Sequence, residues 1–319
     1  MYKILFTGLG SIGERHLRLL QNHDDPMELH AYRSGGIDEA AFPDVVQHAS
    51  LTDALAMDPD IAFITNPTSL HVETATVCAE SGCHLFIEKP LSHTLDGVDE
   101  LITTVSDNGL LTYVACVLRF HPVLQRISTL LANDIIGEVY SFRVYSGSYL
   151  PDWRPEQDYR SSYSADPEMG GGVILDLIHE IDYSYWLFGD ITIVNSWVGQ
   201  VSNLDIESED LAETIVETET GVIGQIHLDY YRSEPRRTIE ISGESGVIHG
   251  NLVDNTVTIL TNGNRDTEQY DIDRDELYKR QLDLFLSHIQ SGTPCENDLR
   301  EARKVLEIAL EIKTDDDRY

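Results

Sequence analysis

A glycine-rich loop near residue 8 limits the folds that this chain can adopt. The loop Gly8-Leu9-Gly10-Ser11-Ile12-Gly13 follows an apolar strand pattern at Lys3–Thr7 and opens a helical pattern at Ile12–Gln21. In such a unit the first glycine permits a tight turn, the second lets a pyrophosphate approach, and the third lets the helix pack on the strand. The helix N-terminus adds free N–H groups and a positive dipole end. The residues expected to bind a dinucleotide here are Gly8, Gly10, Ser11, Ile12 and Gly13.

Residues 1–120 alternate short apolar runs with helical patterns. Candidate strands lie at Lys3–Thr7, Glu28–Tyr32, Ile61–Thr65, His84–Ile87 and Thr112–Val117, and candidate helices at Ile12–Gln21, Leu51–Ala56, Leu70–Ser81 and Gly97–Asn108. Strands that alternate with helices form a parallel, doubly wound sheet. With 319 residues the chain is long enough for two domains. Residues 1–120 are therefore predicted to be an α/β Rossmann domain that binds NAD or NADP.

The pattern changes in residues 121–319, where strands follow one another with little helix between them. Strands are predicted at Val139–Ser148, Ile191–Val201, Leu211–Glu217, Gly221–Tyr231, Thr238–Ser242, Val247–Leu252 and Thr256–Leu260. One helix is predicted over Val173–Leu187 and an amphipathic helical segment over Asp275–Ile312, and we expect a frayed tail at Lys313–Tyr319. Such a succession indicates an α+β domain with a mostly antiparallel sheet.

The residues after the second strand indicate the type of dinucleotide. NAD is commonly held there by an acid that hydrogen-bonds the ribose 2′-hydroxyl. This chain has Ala31-Tyr32-Arg33-Ser34, without a carboxylate. A guanidinium fork and a hydroxyl suit a 2′-phosphate. We therefore expect Arg33 and Ser34 to bind NADP, with stacking of Arg33 on the adenine of NAD as the alternative.

The charge balance of the chain is strongly acidic. Asp and Glu total 55 against 22 Lys and Arg, which gives a formal net charge of −33, and the acids are spread along the whole sequence. This field argues against nucleic acid as a partner, because its binding depends on basic patches. Salt screens the self-repulsion of such a chain. The composition therefore predicts a halophilic host and an unfolding midpoint that rises steeply between low and molar salt.

Apolar runs and cysteines indicate the compartment. No run in the sequence approaches the ~20 apolar residues that span a bilayer. The first residues lead at once into the glycine loop rather than into the longer apolar region of a signal peptide. Four cysteines, Cys78, Cys83, Cys116 and Cys295, follow neither a disulfide framework nor a metal-ligand spacing. We expect reduced thiols, no metal site, no membrane partner and a cytoplasmic protein.

Further motifs follow the glycine loop in a characteristic order. They are Thr65-Asn66-Pro67-Thr68-Ser69-Leu70-His71, Glu88-Lys89-Pro90, Arg119-Phe120-His121-Pro122, and a glycine run that continues to a histidine, Gly170-Gly171-Gly172-Val173-Ile174-Leu175-Asp176-Leu177-Ile178-His179. Together they resemble the glucose–fructose oxidoreductase, inositol dehydrogenase and rhizopine-catabolism family (Gfo/Idh/MocA) over nearly the whole chain.

The resemblance implies a Rossmann domain followed by a substrate-binding and oligomerisation domain with an open-faced sheet. It implies oxidation or reduction of sugars, cyclitols and their derivatives. It places a further set of residues at the cofactor: Asn66, Pro67, His71, Glu88, Lys89 and Arg119. Because an open sheet face usually needs covering, a homodimer or homotetramer through the C-terminal sheet is expected.

The family's catalytic lysine, aspartate and histidine match Lys89, Asp176 and His179. Oxidising an alcohol requires a base, and an imidazole with a pKa of about 6.5 suits that exchange. Lys89 can stabilise developing alkoxide charge, while Asp176 can orient the imidazole or hold a substrate hydroxyl. At helical spacing Asp176 and His179 share one face, and Asp182 could orient His179 from behind. Many family members separate the aspartate and histidine by four positions, whereas this chain separates them by three.

The segment before the glycine run contains aromatic residues interleaved with charged ones. Trp153, Arg154 and Arg160 suit a polyhydroxylated, anionic sugar together with Lys89, Asp176 and His179, and simple loop packing is the competing interpretation. A second group is predicted to line either the pocket or an oligomer contact: Tyr230, Tyr231, Arg232, Arg236 and Arg237.

The sequence thus predicts an NAD(P)-dependent oxidoreductase that acts on a sugar hydroxyl or carbonyl. Two alternatives stay open. One is a relative that holds its cofactor permanently and carries out redox-assisted elimination, epimerisation or glycoside cleavage. The other is an NADP-binding sensor without turnover. Net turnover of added cofactor separates the first prediction from both.

Overall fold

The computed structural model describes residues 1–38 and 40–314 and divides the chain into two compact units. The first unit comprises Met1–Cys116 and Tyr278–Lys304. The second comprises Val117–Leu277 and the described residues from Val305. Most of the tail expected to be frayed, from residue 315 onward, lies outside the described residues.

The first unit is built on a six-stranded parallel sheet. Its elements are β1 (Tyr2–Phe6), α1 (Ser11–Gln21), β2 (Met27–Tyr32), β3 (Val46–His48), α2 (Leu51–Leu55), β4 (Ile61–Ile64), α3 (His71–Glu80), β5 (His84–Glu88), α4 (Val98–Asp107) and β6 (Thr112–Ala115). The strand order is β3-β2-β1-β4-β5-β6, and every ladder is parallel. This is the doubly wound Rossmann order, so the predicted α/β fold is confirmed. The order reverses between β1 and β4, where such sheets bind ligands.

The second unit is built on an eight-stranded sheet. Its elements are α5 (Pro122–Ala132), β7 (Val139–Gly147), α6 (Val173–Asp176), α7 (His179–Phe188), β8 (Ile191–Gly199), β9 (Leu211–Thr218), β10 (Ile223–Asp229), β11 (Arg236–Gly243), β12 (Gly246–Asn251), β13 (Thr256–Thr261) and β14 (Asn264–Gln269). Two C-terminal helices, α8 (Arg274–Ser291) and α9 (Leu299–Thr314), follow in the sequence and are divided between the two units. The strand order is β14-β13-β12-β11-β7-β10-β9-β8. Only the β7–β10 ladder is parallel among the described strands of this sheet, so the predicted mostly antiparallel sheet is confirmed.

The two faces of this second sheet differ in exposure. Phe142 of β7 stacks on Phe188 of α7 with ring centroids 4.1 Å apart, so a helix covers that face. On the opposite face Trp197, Ile215 and Ile223 are 39%, 45% and 44% exposed. This period-two alternation is typical of an antiparallel sheet with one face open.

The C-terminal segment forms two helices rather than one continuous helix. Gly292, at φ +66°, and Pro294 lie in the break between α8 and α9. Phe285 of α8 packs edge-on against Phe86, with centroids 5.5 Å apart, and Asn297 Nδ2 donates to the Val114 carbonyl at 2.6 Å. These contacts place Tyr278–Lys304 in the first unit, although the sequence assigns everything after residue 120 to the second domain. Periodicity shows that a helix has a buried face, but it does not show which sheet that face covers.

Several other elements differ from the sequence prediction. The sequence prediction omits β3, α5 and the polar edge strand β14. β3 and β14 show no apolar repeat because they are short or polar. α5 does carry one, with buried apolar residues at Val123, Leu124, Ile127 and Leu130, and the prediction missed it. The single helix predicted over Val173–Leu187 is interrupted at Leu177 and Ile178. Within the described ranges, none of the helices is long and apolar enough to cross a membrane.

Candidate active site

The three glycines of the loop are required for different reasons. A Cβ on Gly8 would lie 2.9 Å from the Thr65 carbonyl oxygen, and a Cβ on Gly13 would lie 2.3 Å from the Gly8 carbonyl oxygen. These two glycines let the loop pack on the end of β4 and let α1 pack on the loop. No described atom lies within 4 Å of the position of a Gly10 Cβ. Gly10 therefore leaves open space in front of the first turn of α1, which begins with Ser11 and Ile12. A phosphate can approach the helix N-terminus through this space.

His71 ties together the loops that follow β4 and β5. Its Nδ1 lies 2.9 Å from the Pro90 carbonyl oxygen, and its Nε2 lies 2.9 Å from the Asn66 carbonyl oxygen. Burial lowers the pKa of this imidazole, although both carbonyl contacts oppose the shift. His71, predicted as a cofactor ligand, thus has both ring nitrogens against backbone oxygens and positions Asn66, Pro67 and Lys89 through the loops that carry them.

Asn66 has one side-chain atom to offer to a ligand. Its Nδ2 donates to Thr74 Oγ1 at 2.8 Å. Its Oδ1 is buried and has no hydrogen-bond partner among the described residues. Buried acceptors are normally satisfied, so this oxygen fits a donor group on a bound cofactor.

Glu88 connects the end of β5 to α1. Its Oε1 lies 2.6 Å from His16 Nε2, and its Oε2 accepts the Lys89 backbone N–H at 3.2 Å. His16 is fully buried, and the sequence analysis missed it. The signal was available, because His16 lies three residues after Gly13 on the buried face of α1, where a polar side chain needs a partner. Lys89 follows Glu88 and is partly exposed.

Arg33 lies at the end of β2, as predicted. Its guanidinium is 5.1 Å from the centroid of the Phe42 ring, and Nη1 makes a long contact of 3.4 Å to Gln47 Oε1. Within the described chain no carboxylate pairs with it. Phe42 also lines a cavity of about 480 Å³ whose walls include Ser11 at the start of α1. Ser34 is exposed in the turn after β2. A stacked guanidinium without an acid fits an anionic group at this edge.

In the second unit the glycine run is dictated by close packing. Gly172 has a φ of +116°, and a Cβ on it would lie 2.1 Å from Glu209 Oε1. A Cβ on Gly171 would lie 2.1 Å from the Tyr163 carbonyl oxygen. The run therefore lets α6 begin directly against Tyr163 and Glu209. Asp176, the last residue of α6, is positioned by this packing.

The three-residue spacing of Asp176 and His179 coincides with the break between α6 and α7. Asp176 ends α6, and His179 begins α7. The expectation that one continuous helix carries both residues is therefore wrong. Asp176 and His179 are only 5% and 8% exposed, so each residue lies in the interior of the unit. Because the helix is interrupted, each residue depends on its own contacts for its orientation.

Two tyrosines lie near the carboxylate of Asp176. The Tyr230 hydroxyl donates to Oδ2 at 2.6 Å, and Tyr163 is close enough to feel the charge of this carboxylate. Burial, followed by the charge of Asp176, raises the pKa of both tyrosines, so both stay protonated donors near neutral pH. Trp153 meets Tyr230 edge-on at 5.3 Å, and Arg154 lies 5.4 Å from the Tyr163 ring centroid. The structure thus brings Trp153 and Arg154 together with Asp176.

Two other predicted arginines have carboxylate partners. Arg160 is exposed and bidentate to Asp158, with Nη2 2.6 Å from Oδ2. Arg119 forms a buried bidentate pair with Asp182, with Nη2 2.6 Å from Oδ1 and Nε 3.0 Å from Oδ2. The structure thus shows Asp182 paired with Arg119, and the contact expected between Asp182 and His179 stays a prediction.

The residues from Tyr230 to Arg237 do not form a single surface. Tyr230 belongs to the Asp176 cluster, whereas Arg237 Nε lies 2.8 Å from Glu180 Oε1. Arg232 and Arg236 both lie over the ring of Tyr145, at 5.0 and 4.5 Å. The spacing of these residues along the sequence does not show that their side chains contact different parts of the unit.

Sequence-family models match each unit. A model described as an oxidoreductase family with an NAD-binding Rossmann fold matches residues 2–116. A model described as the Gfo/Idh/MocA C-terminal domain matches residues 124–249. The two matches together cover most of the chain.

Individual proteins are similar over a comparable extent. The chain is 26% identical to the myo-inositol 2-dehydrogenase of Thermotoga maritima, over 92% of this chain and 89% of that protein. It is 23% identical to the D-xylose 1-dehydrogenase (NADP(+)) 2 of Haloferax volcanii, over 86% of this chain and 83% of that protein. A solved structure of levoglucosan dehydrogenase with NADH and levoglucosan has the same fold, with a TM-score of 0.87 at 18% identity over 99% of this chain and 96% of that chain.

Proposed function

The chain belongs to the Gfo/Idh/MocA family of NAD-binding oxidoreductases, and we propose that it transfers a hydride between a nicotinamide cofactor and a hydroxyl or carbonyl group of a sugar or sugar derivative. The observation that carries the proposal is the buried Asp176, which accepts a hydrogen bond from Tyr230 and lies three residues before His179, in a chain whose first unit has a dinucleotide cradle. The named dehydrogenases that it resembles act on sugars or cyclitols, which supports the substrate class.

Each proposed catalytic residue has a distinct task. His179 takes the hydroxyl proton during oxidation and returns it during reduction, because an imidazole exchanges protons near neutral pH. The Lys89 ammonium donates to the same oxygen and stabilises its developing negative charge. Asp176, held by the Tyr230 hydroxyl, accepts a hydrogen bond from the substrate. When bound, the nicotinamide supplies the hydride acceptor or donor.

The first unit fits a phosphorylated dinucleotide, and the proposed cofactor is NADP. The open space at Gly10 and the N-terminus of α1 suit the pyrophosphate. The Asn66 Oδ1 atom is a vacant acceptor. Arg33 and Ser34 are the proposed ligands of the 2′-phosphate, and Glu88, Pro67 and His71 position the loops around the cofactor.

We expect NADPH to bind at least about tenfold more tightly than NADH, because a charge-assisted contact to the 2′-phosphate exists only with NADPH. Nicotinamide fluorescence during separate titrations measures both affinities. Arg33→Ala should remove most of the difference by weakening NADPH alone. Arg265→Ala, which removes an exposed arginine on β14, is the matched control and should preserve the difference.

The outcomes separate the cofactor from the function. Tighter binding of NADH, unaffected by Arg33→Ala, would contradict NADP as the cofactor. It would remain consistent with the proposed oxidoreductase function. Binding of neither nucleotide would contradict the function itself. Net reduction of added NADP⁺ by members of a sugar panel then distinguishes a dehydrogenase from an enzyme that retains its cofactor, since the latter shows no net turnover.

We also propose a halophilic host, on the basis of the net charge of −33 and the presence of only five lysines, Lys3, Lys89, Lys279, Lys304 and Lys313. Raising KCl from low to molar concentration should raise the unfolding midpoint by about 10 °C, the shift that a few kcal/mol produces in domains of this size. Calorimetric melting curves measure it. An uncharged osmolyte at matched osmolality separates charge screening from surface exclusion. An unfolding midpoint that does not change with KCl concentration would contradict the halophilic host.

A homodimer or homotetramer through the open face of the second sheet is the proposed assembly. Trp197, Ile215 and Ile223 give that face exposed apolar area, which isolated proteins seldom leave uncovered. Sedimentation of a monomer at micromolar concentration would contradict this assembly.

The proposed compartment is the cytoplasm, supported by four free and buried cysteines. Isolation of the native protein with these cysteines joined as disulfides would contradict that compartment.

A further inference from the structure

We propose that the substrate is an anionic sugar derivative, carrying a carboxylate or a phosphate, and that Arg154 recognises this group. The inference rests on the proposed sugar oxidoreductase function and adds the charge of the substrate to it. It also selects one of two arginines that the sequence could not tell apart, Arg154 and Arg160.

Arg154 is connected to the proposed catalytic aspartate through one tyrosine. Its guanidinium lies 5.4 Å from the centroid of the Tyr163 ring, and Tyr163 in turn is close enough to Asp176 for the carboxylate to raise the pKa of its hydroxyl. In this proposal, a sugar whose hydroxyl hydrogen-bonds to Asp176 carries its anionic group on the side of the Tyr163 ring where Arg154 lies. The anionic group and the reacting hydroxyl belong to the same molecule but lie several bonds apart.

The guanidinium of Arg154 has no carboxylate partner among residues 1–38 and 40–314. That is informative in a chain with 55 acidic and 22 basic residues. Arg160, six residues away, is engaged by Asp158 at 2.6 Å. An arginine that is not already paired can bind an anion without first giving up an ion pair, and its fork matches carboxylate and phosphate oxygens.

The charge of the whole chain makes a local cation necessary for such a substrate. A net charge of −33 repels anions from most of the surface. An anionic sugar would therefore bind only where a fixed positive charge offsets that field. Trp153 supplies the adjoining apolar surface: its indole N–H donates to Ser148 Oγ at 2.7 Å, which fixes a ring that is 36% exposed. A fixed ring beside a guanidinium suits a sugar that carries a charge.

The test compares sugars that differ only in the anionic group. The pairs are glucose with glucuronate, glucose with glucose 6-phosphate, and myo-inositol with myo-inositol 1-phosphate. Calorimetry on the NADPH-loaded His179→Asn protein measures affinity without turnover, and kcat/KM is measured on the unmodified protein at the same ionic strength. We expect the anionic member of a pair to be favoured at least about tenfold. Arg154→Ala should abolish the preference, Arg154→Lys should keep part of it, and Arg265→Ala should keep all of it.

The outcomes distinguish this inference from the function beneath it. Turnover of neutral sugars without any preference for their anionic counterparts overturns the inference and leaves the function intact. A preference that survives Arg154→Ala overturns the role of Arg154. Anion-selective binding without turnover of any sugar supports the role of Arg154 and contradicts the proposed function. Preference for glucuronate over glucose 6-phosphate assigns a carboxylate, and the reverse preference assigns a phosphate.

Discussion

Replacing His179 by asparagine is expected to lower kcat by about 10²–10⁴-fold, the usual contribution of a positioned acid or base. Asparagine retains hydrogen-bonding atoms but cannot exchange a proton near neutral pH. His179 is only 8% exposed, so bulk water has little access to replace the imidazole. NADPH affinity should be unchanged, because the proposed cofactor residues of the glycine loop belong to the first unit. Steady-state rates and nicotinamide fluorescence measure the two quantities separately.

A second histidine of the same unit provides the control. His249 lies on β12, is 44% exposed and faces Glu240 at 3.2 Å. Surface substitutions of this kind change little, so His249→Asn should leave kcat close to that of the unmodified protein. If His179→Asn retains kcat within about threefold, far less than acid–base catalysis contributes, the role assigned to His179 is wrong.

The fold was predictable because its signals are local and periodic. The loop at Gly8–Gly13 fixes the first strand, turn and helix, and alternating strands and helices then dictate a parallel sheet. The second sheet follows from its run of consecutive strands. Where a short or polar element carries no repeat, as in β3 and β14, the same method has nothing to detect.

The sequence predicted which residues form the candidate site, but it did not predict which side chains contact one another there. The residues Asp176 and His179 stand out in the sequence, whereas the hydrogen bond from Tyr230 to Asp176 joins positions 54 residues apart. Arg119 and Asp182 are likewise separated by 63 residues. Long-range pairing depends on how strands and helices are arranged in space, which spacing along one chain does not encode. The resemblance predicts Arg119 as a cofactor ligand, but it gives no sign that the guanidinium pairs with Asp182.

Breaking the ion pair between Arg119 and Asp182 is expected to destabilise the second unit by about 3–5 kcal/mol, because the remaining charge stays buried without a partner. The two side chains are only 7% and 1% exposed. In Arg119→Met the Asp182 carboxylate loses guanidinium contacts of 2.6 and 3.0 Å. Since Asp182 lies one turn after His179 on α7, activity should fall as well. The double variant Arg119→Met/Asp182→Leu removes both charges and should recover most of the stability.

The pair Arg126–Glu268 is the matched control, because it has the same bidentate geometry at the surface. Its shortest contact is 2.7 Å, but its side chains are 35% and 29% exposed. Solvent screens such a pair, so Arg126→Met should cost less than about 1 kcal/mol. Urea unfolding followed by circular dichroism, in the same salt for every variant, measures the difference. Equal costs for Arg119→Met and Arg126→Met would show that burial does not determine the strength of these pairs. A double variant as unstable as Arg119→Met would show that α7 needs the guanidinium itself, and not merely the absence of an unpaired charge.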